Sequence, residues 1–305
     1  MNEAPYLDQA HIQFDENSLW VMNIALGLVM FGISLNLTPR DFKQLWRAPK
    51  PVLGGLFSQF IALPLVTFAL VSWLNPPAGV GLGMIMVAAC PGGNVSNFIT
   101  QLAKGNTALS ISLTAVATSV AVVMTPLNFT LYASLWTPGS ALIQEVTVDV
   151  WSMAVLVGLL LGLPLVLGLW VRYRYPIQAK KWAVWINRAA LLFFLFLIIA
   201  AVSQNMAQIK AYSGLLFGYV FLHQAMAMAV GYGISHLMRL GIEHRKTLII
   251  ETGIQNSGLG LMLIFTFFEG RGSMALIAAF WGIWHLISGL VVGLILRYLH
   301  NGNRV

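Results

Sequence analysis

Ile249-Ile250-Glu251-Thr252-Gly253-Ile254-Gln255-Asn256-Ser257-Gly258 lies inside an apolar run from about Thr247 to Phe268, and its one acid decides how the chain must fold. A carboxylic acid at the centre of a membrane helix costs roughly 2.5–3.5 kcal/mol on insertion scales, so Glu251 needs a partner, and a cation is the obvious one. Gly253 and Gly258 flank the cluster Gln255-Asn256-Ser257 and weaken the helix there. Amide and hydroxyl oxygens then sit beside backbone carbonyls that have lost their helical donors. The stretch reads as a membrane helix broken near its middle, with an ion held at the break.

The rest of the chain agrees with a membrane setting. Of 305 residues, 58% are hydrophobic and only 9% charged, against about 25% charged in soluble domains. The fold class expected is therefore an all-α polytopic membrane protein. A net charge of +7 could indicate nucleic acid as a partner, but the basic residues fall in short clusters between apolar runs, as loops do, and no nucleic acid is expected. Cys90 is the only cysteine, which excludes an internal disulfide and a multi-cysteine metal site. Residues 1–18 are polar and carry Glu3, Asp8, Asp15 and Glu16 without a lysine or arginine, the reverse of a secretory leader. They read as an extracytoplasmic segment with no cleaved targeting signal.

Windows of about 20 apolar residues, each able to cross ~30 Å of hydrocarbon, predict nine spans near 19–37, 51–74, 79–103, 105–135, 150–171, 182–204, 213–238, 247–268 and 274–296. Clusters at Arg40–Lys50, Lys104, Arg172–Lys181, Arg239–Lys246 and Arg297–Arg304 hold 14 of the 17 lysines and arginines, all on one side of that topology. The positive-inside rule then puts the N-terminus outside and the C-terminus in the cytoplasm. Arg188, inside the sixth span, sits close enough to Lys180-Lys181 to snorkel to the interface. Trp20, Trp46, Trp73, Trp136, Trp151, Trp170, Trp182 and Trp185 fall near span ends, as in an interfacial belt, whereas Trp281 and Trp284 lie deep in the last span.

A second interruption occurs in the third span at Cys90-Pro91-Gly92-Gly93-Asn94-Val95-Ser96-Asn97. Pro91 removes a donor and Gly92-Gly93 lower the cost of unwinding, so the helix should stop there and restart near Asn94. Breaks in the third and eighth spans are an odd number apart and thus oppositely oriented, the arrangement of an inverted repeat. A lone glutamine, Gln59 or Gln224, precedes each. Ser110, Thr114 and Thr118 follow the first break at i, i+4 and i+8, on one helical face.

These residues, with Gly105-Asn106 and Leu109-Ser110, resemble the bile acid:sodium symporter family from about Phe31 through Ser288. The resemblance implies a core (about 51–135 and 213–296) in which the two broken helices cross, beside a panel (about 19–37 and 150–204), within a transporter domain over 19–297 and before a cytoplasmic tail at 298–305. Two Na⁺ are implied as coupling ions, with no other cofactor. One would lie among Ser96, Asn97, Ser110, Thr114 and Glu251; the other would use Gln59, Glu251, Gln255 and the carbonyls of Thr252 and Ile254. Asn94, Asn256 and His285 would reach the organic anion. Members of the family often carry asparagine after this histidine, where Leu286 stands here.

The expected function is sodium-coupled symport of an organic anion, a bile-acid-like, ketoacid or pantoate-like carboxylate, by alternating access. The setting expected is a bacterial inner membrane, with the chain acting as a monomer in the bilayer. The rival is a proton-driven efflux carrier for an organic anion or metalloid on the same scaffold, for which Cys90 would supply a thiol. No catalytic residues are expected, because the chain has neither His-Glu-x-x-His nor a Gly-x-Ser-x-Gly elbow.

Overall fold

The computed structural model describes residues 16–38, 49–146, 149–204, 206–268 and 270–302. Among them the chain is helical, and the extended pairing present is one isolated antiparallel bridge between Gly92 and Gln255. In order the helices are α1 (Glu16–Ser34), α2 (Pro49–Leu74), α3 (Ala78–Ala89), α4 (Val95–Leu102), α5 (Thr107–Leu135), α6 (Thr137–Val146), α7 (Val150–Arg174), α8 (Pro176–Gln204), α9 (Met206–Leu237), α10 (Ile242–Gly253), α11 (Ser257–Phe267) and α12 (Gly272–Gly302).

Among the described residues, five helical segments are long and apolar enough to cross a membrane: α2, α5, α7, Gly214–Leu237 of α9 and Gly272–Tyr298 of α12. Each exposes large apolar side chains, Leu65, Val123, Val166, Phe221 and Leu294 among them. That is the pattern of a helix with lipid on one side and protein on the other. By contrast α3, α4, α10 and α11 have 12, 8, 12 and 11 residues, each too short to cross ~30 Å alone. The two interruptions lie where the sequence places them, at Cys90–Asn94 and Ile254–Asn256.

The helix α3 is buried along nearly its whole length and packs against α12, which also meets α4, α9 and α11. The helices α9 and α10 lie along one another, α5 contacts α3, α4 and α10, and α1 packs against α7 and α8. Phe129 and Phe268 meet edge to face at 5.5 Å in the interior.

Three features depart from the sequence reading. Residues 137–146, placed between spans, form α6. Trp136 is buried rather than interfacial, its ring filling the space where a Cβ on Gly81 would lie. Trp20, Trp73, Trp151, Trp170, Trp182 and Trp185 are exposed as expected, and Trp46 lies outside the described residues. Finally, α2 and α7 each contain a π-turn, Ser58–Ala62 and Gly158–Gly162, directly before Leu63-Pro64 and Leu163-Pro164. Proline has no N–H for the carbonyl four residues back, so the preceding leucine N–H bonds five residues back, to Ser58 O in one case and Gly158 O in the other. The Phe60 carbonyl stranded by Pro64 is taken by Asn128 Nδ2 at 2.8 Å.

Candidate functional site

The two breaks cross and bond to each other. Gly93 N–H donates to Ile254 O at 2.8 Å and Asn256 N–H to Pro91 O at 2.8 Å, which closes the bridge between Gly92 and Gln255. Backbone groups freed by unwinding one helix are thereby satisfied by the other, as low-dielectric surroundings demand. The close approach leaves little room for a side chain at either glycine. A Cβ on Gly92 would lie 3.1 Å from Glu251 O and 3.1 Å from Glu251 Oε2, and one on Gly93 would lie 2.9 Å from Gln255 O.

Glu251, on the last turn of α10, is fully buried, and its partners are hydroxyls rather than a lysine or arginine. Ser96 Oγ donates to Oε1 at 2.5 Å, Ser110 Oγ lies in close contact with the same oxygen, and Thr114 Oγ1 is 3.3 and 3.2 Å from Oε1 and Oε2. Asn97 Oδ1 joins them, 2.8 Å from Ser110 Oγ and 3.4 Å from Thr114 Oγ1. The first predicted ion set is thus gathered in one place, drawn from α4, α5 and α10. Its chemistry is unbalanced. Six oxygens share three hydroxyl protons, and Thr114 also bonds back to Ser110 O at 3.0 Å. A hydroxyl donates once, so lone pairs exceed donors, and the cluster has the oxygens to hold a cation.

The second predicted set surrounds the crossing. Gln59, on the π-turn of α2, accepts from Gly92 N–H at 3.1 Å, which leaves its Nε2 buried and unpartnered. Gln255 Nε2 donates to Thr252 O at 2.8 Å, and its Oε1 is buried with no donor. A buried orphan acceptor costs about 1–3 kcal/mol, and a cation beside Gln255 Oε1 would relieve it. The carbonyls of Thr252 and Ile254 each accept one hydrogen bond and keep a second lone pair.

The predicted anion-contacting residues are not brought together in the same way. Asn94 precedes α4 without capping it and, with Asn97, Thr114 and Thr118, forms the polar wall of a cavity of about 20 Å³. Apolar side chains of α1 and α7, among them Met30, Ile33, Leu161 and Leu165, close its other side. Asn256 is committed to capping α11 through Leu259 N–H at 3.1 Å. His285 is buried on α12 against Trp281, its Nδ1 without a partner, and is not among the residues that line the cavity.

Known proteins resemble this chain over most of its length. The Sodium Bile acid symporter family matches over residues 23–212. The uncharacterized sodium-dependent transporter YocS of Bacillus subtilis is 35% identical over 271 residues, covering 88% of this chain and 80% of that protein. The chain belongs to the sodium bile acid symporter family. The chain is also similar to the probable sodium/metabolite cotransporter BASS2, chloroplastic, of Oryza sativa subsp. japonica, at 32% over 243 residues, 80% of this chain and 56% of that protein. A sodium-dependent organic anion transporter of Mus musculus is 28% identical over 279 residues, 88% of this chain and 71% of that protein. The sodium bile acid symporter family is one of sodium-dependent transporters of organic anions and metabolites, not of enzymes, and this member is an integral membrane protein.

Ser58, Thr100 and Ser288 of this family member went unread in the sequence, and Gln224, singled out there as a lone glutamine, was given no partner. Ser58 Oγ and Thr252 Oγ1 lie 2.7 Å apart and tie α2 to α10. Gln224 Nε2 donates to Gly253 O at 3.2 Å while its Oε1 accepts from Ser288 Oγ at 2.7 Å, so the lone glutamine of α9 pins the end of α10. Thr100 Oγ1, buried on α4, is 3.3 Å from Ser110 Oγ. The signal available for each was a polar side chain in an apolar window, which Ser and Thr supply too often in membrane helices to single out. Cys90 is fully buried in the apolar core beside Gly260 and is not among the residues that line the cavity beside Asn94.

Proposed function

We propose that this chain is a secondary active transporter that couples inward Na⁺ movement to uptake of an organic anion, a bile-acid-like, ketoacid or pantoate-like carboxylate, by alternating access. The surplus of oxygen lone pairs around the buried Glu251 carboxylate carries this reading. One Na⁺ sits among Ser96, Asn97, Ser110, Thr114 and Glu251. A second is held by Gln59, Glu251, Gln255 and the carbonyls of Thr252 and Ile254, which the unpartnered Gln255 Oε1 supports. With both ions in place, Asn94, Asn256 and His285 orient the anion beside the crossing. Bound sodium favours the conformation that accepts the anion, because a ligand of equal affinity for both conformations shifts nothing.

The architecture that goes with this function has nine spans, an inverted repeat carrying the two broken helices, an extracytoplasmic N-terminal segment and a cytoplasmic tail in a bacterial inner membrane. Packing of α1 with α7 and α8, and of α3, α4, α9, α10, α11 and α12 among themselves, supports a panel over 19–37 and 150–204 moving against a core over 51–135 and 213–296, the two meeting where α7 lies on α5 and α1 on α11. A narrow cavity between Asn94 and Leu165 marks where the two would part.

The decisive experiment is uptake into proteoliposomes, with the anion chosen from a thermal-shift screen of carboxylates in sodium. Glu251→Gln should insert and fold yet lose sodium-dependent uptake. Sodium-stimulated uptake retained in that variant would refute the ion assignment.

A further inference from the structure

Lys246 belongs to the basic cluster that the sequence places in a cytoplasmic loop, but it is on the second turn of α10 and only 2% exposed. Its Nζ donates to Ala103 O at 2.9 Å. Ala103 closes α4, so the ammonium sits at the negative end of that half-helix, against a carbonyl that has no helical donor. The neighbouring contacts belong to the same clasp. Thr247 Oγ1 accepts from Asn106 N–H at 2.9 Å, His244 Nε2 lies 3.1 Å from Asn106 Nδ2, and Asn106 Oδ1 caps α5 through Leu109 N–H at 2.9 Å. The tight turn between α4 and α5, with Lys104 at φ 56°, is therefore held by three residues of α10, His244, Lys246 and Thr247.

We propose that Lys246 is a positioning residue for the ion cage, and this rests on the sodium reading above. The helix α4 has eight residues, a rod of about 12 Å at 1.5 Å per residue. Ser96 at one end meets Glu251, and Ala103 at the other meets Lys246, so both ends are tied to α10. Lys246 and Glu251 are separated by about 7.5 Å of helix rise. Releasing the Ala103 end lets α4 slide along its axis and carries Ser96 and Asn97 away from Glu251. Ser110 and Thr114 stand on the helix that follows the same turn, and they move with it.

The test needs sodium alone. Thermal unfolding of the purified chain in detergent is followed while sodium chloride replaces choline chloride at constant ionic strength, which gives the half-saturating sodium concentration. Lys246→Met should raise that concentration about tenfold, the scale on which residues supporting a metal ligand act. Lys246→Arg, which keeps charge and donor, should stay close to wild type. A lower melting temperature in Lys246→Met with an unmoved sodium midpoint would mean packing only and would overturn the proposal. Should the methionine variant not be recovered folded, Lys246→Gln decides in the same titration, a wild-type midpoint again overturning it. A wild-type chain that melts alike in sodium and choline would remove the ion site itself, a failure distinct from an unmoved midpoint in the variant.

Discussion

Glycine at 93 is fixed by the backbone it faces, since a Cβ there would stand 2.9 Å from Gln255 O. That carbonyl cannot give way cheaply, because Ile254 O and Asn256 N–H on either side are bonded across the crossing. Gly93→Ala should therefore cost about 1–3 kcal/mol of overpacking, a loss of several degrees in melting temperature. Gly218→Ala, with nothing within 4 Å of its Cβ, should leave melting unchanged or slightly raised. Equal melting of the two variants would contradict this account. At this scale the sequence shows Glu251 plainly, because an acid in an apolar run has no solvated alternative. It does not show Lys246, whose neighbours Arg239, Glu243 and Arg245 make it look like one more loop cation. Burial of an ammonium is decided by where a distant helix ends, and Ala103 is 143 residues away.

Among the elements, the broken helices were legible because Pro91 and the glycines beside both amide clusters leave no good continuous helix. The π-turns were not. Pro64 and Pro164 lie inside long apolar windows, and hydropathy is blind to whether a carbonyl finds its donor at four residues or five. What lets α2 absorb Pro64 is Asn128 on α5, which supplies the missing donor to Phe60 O. Asn128→Leu removes it and should destabilise the chain by about 1–3 kcal/mol. Because Gln59 rides on that turn and accepts from Gly92 N–H, the same variant should also raise the half-saturating sodium concentration in thermal titration. Lower stability with an unchanged sodium midpoint would show that the turn and the crossing are mechanically separate.

For the molecule as a whole, two proposed ion sets mean two coupling ions per cycle, and that number fixes the charge carried. Two Na⁺ with one monoanion move a net +1 inward. A tenfold sodium gradient contributes about 1.4 kcal/mol per ion, and 100 mV adds about 2.3 kcal/mol per charge. Together these come to about 5 kcal/mol, enough for roughly a few thousand-fold accumulation. One Na⁺ per monoanion would move no net charge and could draw only on the chemical gradient, about tenfold. The two stoichiometries thus separate without knowing where either ion binds. In proteoliposomes loaded with potassium, valinomycin sets an inside-negative potential, and sodium-dependent uptake of a monoanion should accelerate, with a sodium dependence steeper than a single site allows. Glu251→Gln should abolish the potential effect together with uptake, whereas Gln255→Leu, which removes one ligand of the second set and none of the first, should flatten the sodium dependence towards one site. Uptake indifferent to valinomycin would reduce the transporter to one coupling ion and leave the Gln59 and Gln255 amides as a structural tie between the crossing helices.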